Sequence, residues 1–150
     1  MGMGIMSSAL KPLADSPMFS QLIMAIGDNW LLGIFTGLAL TAILQSSSAT
    51  TSILIALAST GSITINIVLP ILFGCNIGTC VTALISSIGA NKTAHKAAAI
   101  HLMFNILGTL IFIPFLKPLA HIVQEMSPGD VQRQIANAHT IFNITATIIL

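Results

Sequence analysis

Between Asn29 and Asn91 the chain carries no Asp, Glu, Lys, Arg or His, and its apolar residues fall into short runs separated by polar clusters. The first run, 30–44, is about 15 residues long, or about 22 Å as a helix, too short to cross a bilayer fully. The cluster Gln45, Ser46, Ser47, Ser48, Thr50 and Thr51 follows, and then a second apolar run closed by Gly61. This pattern predicts two half-length helices around a polar break, either a re-entrant hairpin or a broken helix. The next segment repeats the design: 63–73 is apolar, GCNIGT interrupts at 74–79, and 80–90 is apolar again. Pro70 is expected to kink the first half, because it removes a backbone hydrogen bond. Two neighbouring interrupted apolar segments point to a transporter binding site.

The flanking pattern is more regular. A short apolar segment reaches about Leu13 and ends at Lys11-Pro12. Asp15 or Ser16 can then cap a helix with Pro17 in its first turn. Residues 18–27 are short and mixed, which suits an interfacial helix better than a span. Asn91 or Thr93 caps a full span over about 94–113, and Pro114 ends or bends it. Lys117, His121 and Glu125 recur at helical spacing beside Phe115, Leu119 and Ile122, which predicts an amphipathic interfacial helix over 115–126. SPGD at 127–130 reads as a helix start with Ser127 as cap and Asp130 in the first turn. A last span runs from there to Leu150. Two pentapeptides echo each other: HLMFN at 101–105 and HTIFN at 139–143, each with His and Asn four apart on one helix face.

Composition turns this pattern into a class. Only 6% of the 150 residues are charged, where a soluble domain carries about 25%. An all-α integral membrane protein is the expectation, with lipid as its solvent. Lys11, Lys92, Lys96, Lys117 and Arg133 are scattered, so no basic surface suits nucleic acid. Lys92 and Lys96 share one short loop, which the positive-inside rule places in the cytoplasm. Cys75 and Cys80 have neither a zinc spacing nor a disulfide framework and read as small packing residues. Gly33 and Gly37 in GIFTG form a close-packing motif for a neighbouring helix. The N-terminus lacks the basic start of a signal peptide. The chain begins and ends inside apolar pattern, so residues 1–150 read as a single membrane unit, a fragment or half of a longer transporter.

The polar breaks carry the candidate chemistry. In a bilayer, non-helical backbone persists only where protein or a water-filled cavity satisfies its polar groups. The half-helix before a break offers free carbonyls, suited to a cation. The half-helix after it offers free N–H groups and a partial positive charge, suited to an anion. Ser46, Ser47 and Ser48 fall where the second half-helix begins, and Gln45 brings both an amide oxygen and an amide donor. Ser and Thr also serve as packing glue between membrane helices, but Gln with three serines and two threonines exceeds what packing needs. In GCNIGT, Gly74 and Gly78 allow tight backbone, and Asn76 and Thr79 are oxygen ligands.

TAILQSSSATT, followed some thirty residues later by GCNIGTCVTAL, resembles the type II sodium-dependent phosphate cotransporter family, including its bacterial members. GIMSSALKPLADSP, HLMFN and IANAHTIFN resemble that family's second repeat, so the likeness covers nearly the whole chain. It implies one unit of an inverted repeat, whose partner carries its own Gln-Ser-Ser-Ser segment and stands in the same full-length chain or another subunit. Substrate and sodium would bind between the two. Cys75 and Cys80 stand where the family more usually has Ala and Thr. Carried over, the likeness makes Gln45, Ser46, Ser47, Ser48 and Thr50 contributors to phosphate and sodium binding, with Asn76 and Thr79 lining the same cavity. Gln45, Ser47 and Asn76 become the Na+ candidates. The expected function is sodium-coupled transport of inorganic phosphate across the cell membrane, by a multi-pass protein that needs no cofactor besides its coupling ions.

The residues supply a reason for the sodium. Phosphate bears one to two negative charges, and an unpaired buried ion costs many kcal/mol. The core segments offer no Lys or Arg, and a helix terminus supplies only about half a unit charge. Co-bound cations are the remaining way to neutralise the anion.

Two other classes compete. A channel subunit would line its pore with the hydroxyl cluster, but no charge ring or carbonyl-filter repeat supports one. An intramembrane hydrolase would use one of the serines with His101 or His139 as base, but there is no G-x-S-x-G elbow and no acid between 29 and 91. For those histidines, hydrogen bonding between helices with Asn105 and Asn143 is the simpler expectation, ahead of a substrate or proton role. His95 and His121 look interfacial.

Overall fold

The computed structural model describes residues 15–149 together with Gly2, Gly4, Ile5, Ser8, Ala9 and Pro12, and excludes the side chains of Phe19 and Asp28. The expected first segment, to about Leu13, lies largely outside the described residues, as does Leu150. All regular structure among the described residues is helical. The elements are α1 Pro17–Asp28, α2 Trp30–Leu44, α3 Ser47–Ser59, α4 Ile65–Gly78, α5 Cys80–Ser87, α6 Lys92–Phe112, a 3-10 turn Ile113–Phe115, α7 Leu116–Met126 and α8 Val131–Ile149.

Helix α4 is the axis of the fold. Val68, Leu69, Ile71, Leu72, Phe73 and Cys75 are all fully enclosed, and α1, α2, α3, α6, α7 and α8 all pack on it. The closest crossing is with α2, and small residues make it possible. A Cβ added to Gly37 would run into the Ile71 carbonyl, and one added to Gly74 into the Ile34 carbonyl. At Gly33 it would lie 2.7 Å from the Pro70 Cβ, and at Gly78 2.7 Å from the Thr41 Cβ. Two G-x-x-x-G faces therefore meet, which lets backbones approach where lipid offers no hydrophobic drive for association.

This crossing corrects the expected interruption at GCNIGT. Gly74 to Gly78 are helical, and Thr79, the single residue between α4 and α5, keeps helical dihedrals of −62° and −26°. Its N–H still bonds the Cys75 carbonyl at 3.1 Å. The glycines that suggested a tight turn are instead the seat of α2, so Ile65–Ser87 runs as one apolar stretch long enough to cross a membrane. The first break is present as the pattern required. Gln45 is left-handed (φ 53°, ψ 27°) and Ser46 extended, between α2 and α3.

Lys92–Met126 is the second stretch long and apolar enough to span. Asn91 caps α6 by accepting from the Ala94 N–H at 2.9 Å. The side chains of Ile100, Met103, Ile106, Leu107 and Leu110 stand on its open surface. At Pro114 the helix tightens into the 3-10 turn and continues as α7. That helix is amphipathic: Leu119, Ala120 and Val123 are buried, while His121 and Glu125 pair at 3.5 Å on the exposed side. The expected last span, α8, has the length but not the apolar character, because Arg133, Gln134, Asn137, His139 and Asn143 interrupt it.

The start of α8 also differs from expectation. Asp130, not Ser127, is the cap, accepting from the Arg133 N–H at 3.0 Å. Ser127 instead closes α7, and α8 reaches back to it: Gln134 Nε2 donates to its carbonyl at 2.8 Å and Asn137 Nδ2 to its hydroxyl at 3.1 Å. Phe73, Phe112 and Phe142 then pack ring against ring at 4.8–5.9 Å and tie α4, α6 and α8 together.

Candidate functional site

The break between α2 and α3 is built by capping. The Gln45 N–H closes α2 on the Thr41 carbonyl at 2.7 Å. The Ser46 hydroxyl accepts from the Ala49 N–H at 3.2 Å, the geometry of an N-cap. That leaves the amides of Ser47 and Ser48 at the head of α3 without intrahelical partners. Behind the break, the Thr41 hydroxyl donates to the Thr50 hydroxyl at 3.1 Å, and Thr50 donates to the Ser46 carbonyl at 3.1 Å. This buried chain of bonds fixes the angle at which α3 leaves α2.

Ser47 opens onto a cavity of about 590 Å³ between α3, the α4–α5 junction, α6 and α8. From the junction come Asn76 and Thr79, from α6 His101, Phe104, Asn105 and Gly108, and from α8 His139, Phe142, Asn143, Ala146 and Thr147. Asn76 is only 5% exposed, and its amide nitrogen is engaged by the Leu72 carbonyl at 3.1 Å. Its amide oxygen stays free to accept. The Thr79 hydroxyl donates to the Asn76 carbonyl at 2.6 Å, which leaves lone pairs free to accept. Oxygen acceptors on this wall suit a hard cation such as Na+. The hydroxyl and free amides at the head of α3 suit an anion. Among the described residues, no Asp, Glu, Lys or Arg lines the cavity.

The residues singled out from sequence divide here. Ser47, Asn76 and Thr79 are brought together on the cavity wall. Gln45 and Ser48 are exposed at the break, and Ser46 is occupied as the cap. Thr50 is fully buried, and its hydroxyl is committed to Thr41 and Ser46.

The expected helix-to-helix bonding by the His–Asn faces is met only in part: Asn105 reaches the Cys80 thiol of α5, while neither imidazole bonds another helix among the described residues. Asn105 Nδ2 donates to the His101 carbonyl at 3.0 Å and Asn143 Nδ2 to the His139 carbonyl at 2.7 Å, each within its own helix. A short amide side chain reaches the carbonyl one turn back more readily than a neighbouring helix. Both faces turn to the cavity instead. The repeated His-x-x-x-Asn spacing was the signal for this, and it was legible as a face without saying what the face looks upon.

The sequence model of a family described as Na+/Pi-cotransporter matches residues 1–127. The chain is 30% identical over 138 residues to an uncharacterized protein, YqeW, of Bacillus subtilis, covering 92% of this chain and 45% of that one. It is 34% identical over 118 residues to sodium-dependent phosphate transport protein 2B of Homo sapiens, covering 73% of this chain and 17% of the other. Putative inorganic phosphate export protein YjbB of Salmonella typhimurium is 26% identical over 119 residues, with 79% and 22% covered. The chain thus spans less than half the length of each of these relatives. No solved structure matches it.

Proposed function

Because the chain belongs to the Na+/Pi-cotransporter family, we propose that it forms one repeat of a multi-pass membrane protein that moves inorganic phosphate together with sodium. The observation that carries this reading is the cavity where Ser47 at the head of α3 meets Asn76 and Thr79, with no Asp, Glu, Lys or Arg on its wall among the described residues. A phosphate held there by hydroxyls and helix-end amides alone keeps most of its charge unbalanced, at a cost of several kcal/mol. Sodium ions on the oxygens of Asn76 and Thr79, with Gln45 as a further ligand, supply the missing charge. The two ions then enter together because neither is stable there alone.

On this reading α2 and α3 form a re-entrant hairpin. Each is too short to cross, and both apolar runs turn back at Gln45 and Ser46. Ile65–Ser87 and Lys92–Met126 provide spans, α7 lies at the interface with Lys117, His121 and Glu125 toward water, and the Lys92–Lys96 end faces the cytoplasm of a cell membrane. A second, inverted repeat, in the same full-length chain or another subunit, closes the site from the side where Gln45 and Ser48 are now exposed. Ser46 holds the break in shape, and Thr50 braces it from behind. The named relatives include both a sodium-dependent transport protein and a putative export protein. Coupling is therefore the property to test. Phosphate binding to the full-length protein in detergent should fall by an order of magnitude or more when choline replaces sodium. Undiminished binding in choline would overturn the coupling.

A further inference from the structure

The cavity's donors and acceptors do not balance around Ser47, Asn76 and Thr79 alone. A tetrahedral oxyanion presents four oxygens that all accept hydrogen bonds. The head of α3 supplies only a hydroxyl and its free amides, while Asn76 and Thr79 present acceptors to the cavity. Among the described residues no Lys or Arg stands on the wall, so further donors must come from its polar side chains. Besides the amides of Asn76, Asn105 and Asn143, each with an N–H already bonded within its own helix, the wall carries two imidazoles, His101 from α6 and His139 from α8.

The geometry points to His101 and His139 as ligand-binding residues that donate hydrogen bonds to the bound oxyanion, a role resting on the phosphate reading above. Three features favour this over packing. Among the described residues, neither imidazole is hydrogen-bonded to another helix. Each is followed one turn later by an Asn whose amide nitrogen is tied to that same histidine's carbonyl rather than to the ring. Finally, the two rings reach one cavity from helices far apart in sequence, through pentapeptides of the same form.

The assignment divides the cavity by chemistry. Acceptors gather at the α4–α5 junction, where the cation belongs. The head of α3 and the two imidazoles add donors on the other walls, where the anion belongs. The ligand class is a tetrahedral oxyanion, and inorganic phosphate with sodium is the probe.

The test needs no mutation at first. Carbethoxylation of the wild-type full-length protein in detergent, read peptide by peptide by mass spectrometry, reports on each imidazole. His95 and the exposed His121 serve as internal controls. Phosphate with sodium should slow labelling of His101 and His139 about tenfold while the controls react unchanged. Labelling of both at the free rate in a sample that demonstrably holds bound phosphate overturns the inference and leaves the phosphate reading standing. Absence of phosphate binding overturns both. A second arm uses His101→Phe and His139→Phe, which remove the donors, and His→Gln, which restores one. Each Phe variant should raise the KM for phosphate about tenfold, more than it raises the KM for sodium, and Gln should recover most of the loss. Phe and Gln variants with equal KM for phosphate would mark the rings as packing residues.

Discussion

The hydroxyls of Thr41 and Thr50 meet at 3.1 Å across the helix break, both fully shielded from the surface. Thr41 lies in the last turn of one short helix and Thr50 in the first turn of the other, so this bond joins the two helices that flank the break directly. Thr50 passes the chain on to the Ser46 carbonyl. The polar residues of this stretch thus do two jobs: those facing inward hold the break, and those at its edge are free for ligand.

That arrangement makes the two threonines unequal. Thr41→Val removes the donor to Thr50 and a contact with the Cys75 thiol. Thr50→Val removes both the acceptor for Thr41 and the donor to Ser46, two buried bonds of about 1 kcal/mol each. Thermal unfolding in detergent should therefore show Thr50→Val as the more destabilised. The double variant should lose less than the sum of the two singles. Strict additivity would mean the hydroxyls do not interact.

The glycine crossing gives a sharper contrast. Alanine at Gly37 or Gly74 drives a methyl into the backbone of the facing helix, and backbone cannot rotate away as a side chain can. Either change should cost about 3 kcal/mol or more and appear as loss of monodisperse protein. Gly27, inside α1, has nothing within 4 Å of an added Cβ. Gly27→Ala should be neutral, or stabilising by up to about 1 kcal/mol.

These contacts mark where sequence reading ran out. The break at Gln45 was legible because a left-handed residue followed by a serine cap is local chemistry, written in consecutive residues. The supposed break at GCNIGT was not, because glycine serves a turn and a close crossing equally well. Only the position of α2, some forty residues earlier, decides between them. The His–Asn faces follow the same logic. Spacing showed that His101 and Asn105 share a face, and packing alone decided that the face borders a cavity.

Helix α8 offers a local test of the corrected cap. Asp130→Ala removes the acceptor for the Arg133 N–H and should cost about 1 kcal/mol of stability. Asp130→Asn keeps the cap without the charge and should recover most of it, since the Arg133 contact at 3.6 Å is exposed and worth little. Equal loss in both variants would shift the weight to the ion pair.

The serines decide what the break is for. Ser46 is occupied by the Ala49 N–H, Ser48 is exposed, and Ser52 donates back to the Ser48 carbonyl at 2.8 Å. Ser47 alone of the four lies on the cavity wall beside Asn76 and Thr79. A lost hydrogen bond to a charged ligand costs about 1.5–3 kcal/mol, or roughly ten- to a hundredfold in affinity. In sodium-dependent phosphate uptake by the full-length protein, Ser47→Ala should therefore weaken apparent phosphate affinity about tenfold or more. Ser52→Ala should stay near wild type. Ser46→Ala should lower stability along with activity, because it removes a cap. Ser48→Ala reports on the missing half of the site: a loss as large as that at Ser47 means the inverted repeat brings ligand to both. Four alanine variants with the same modest loss would make the cluster a structural device, and the cavity's claim on phosphate would fall with it.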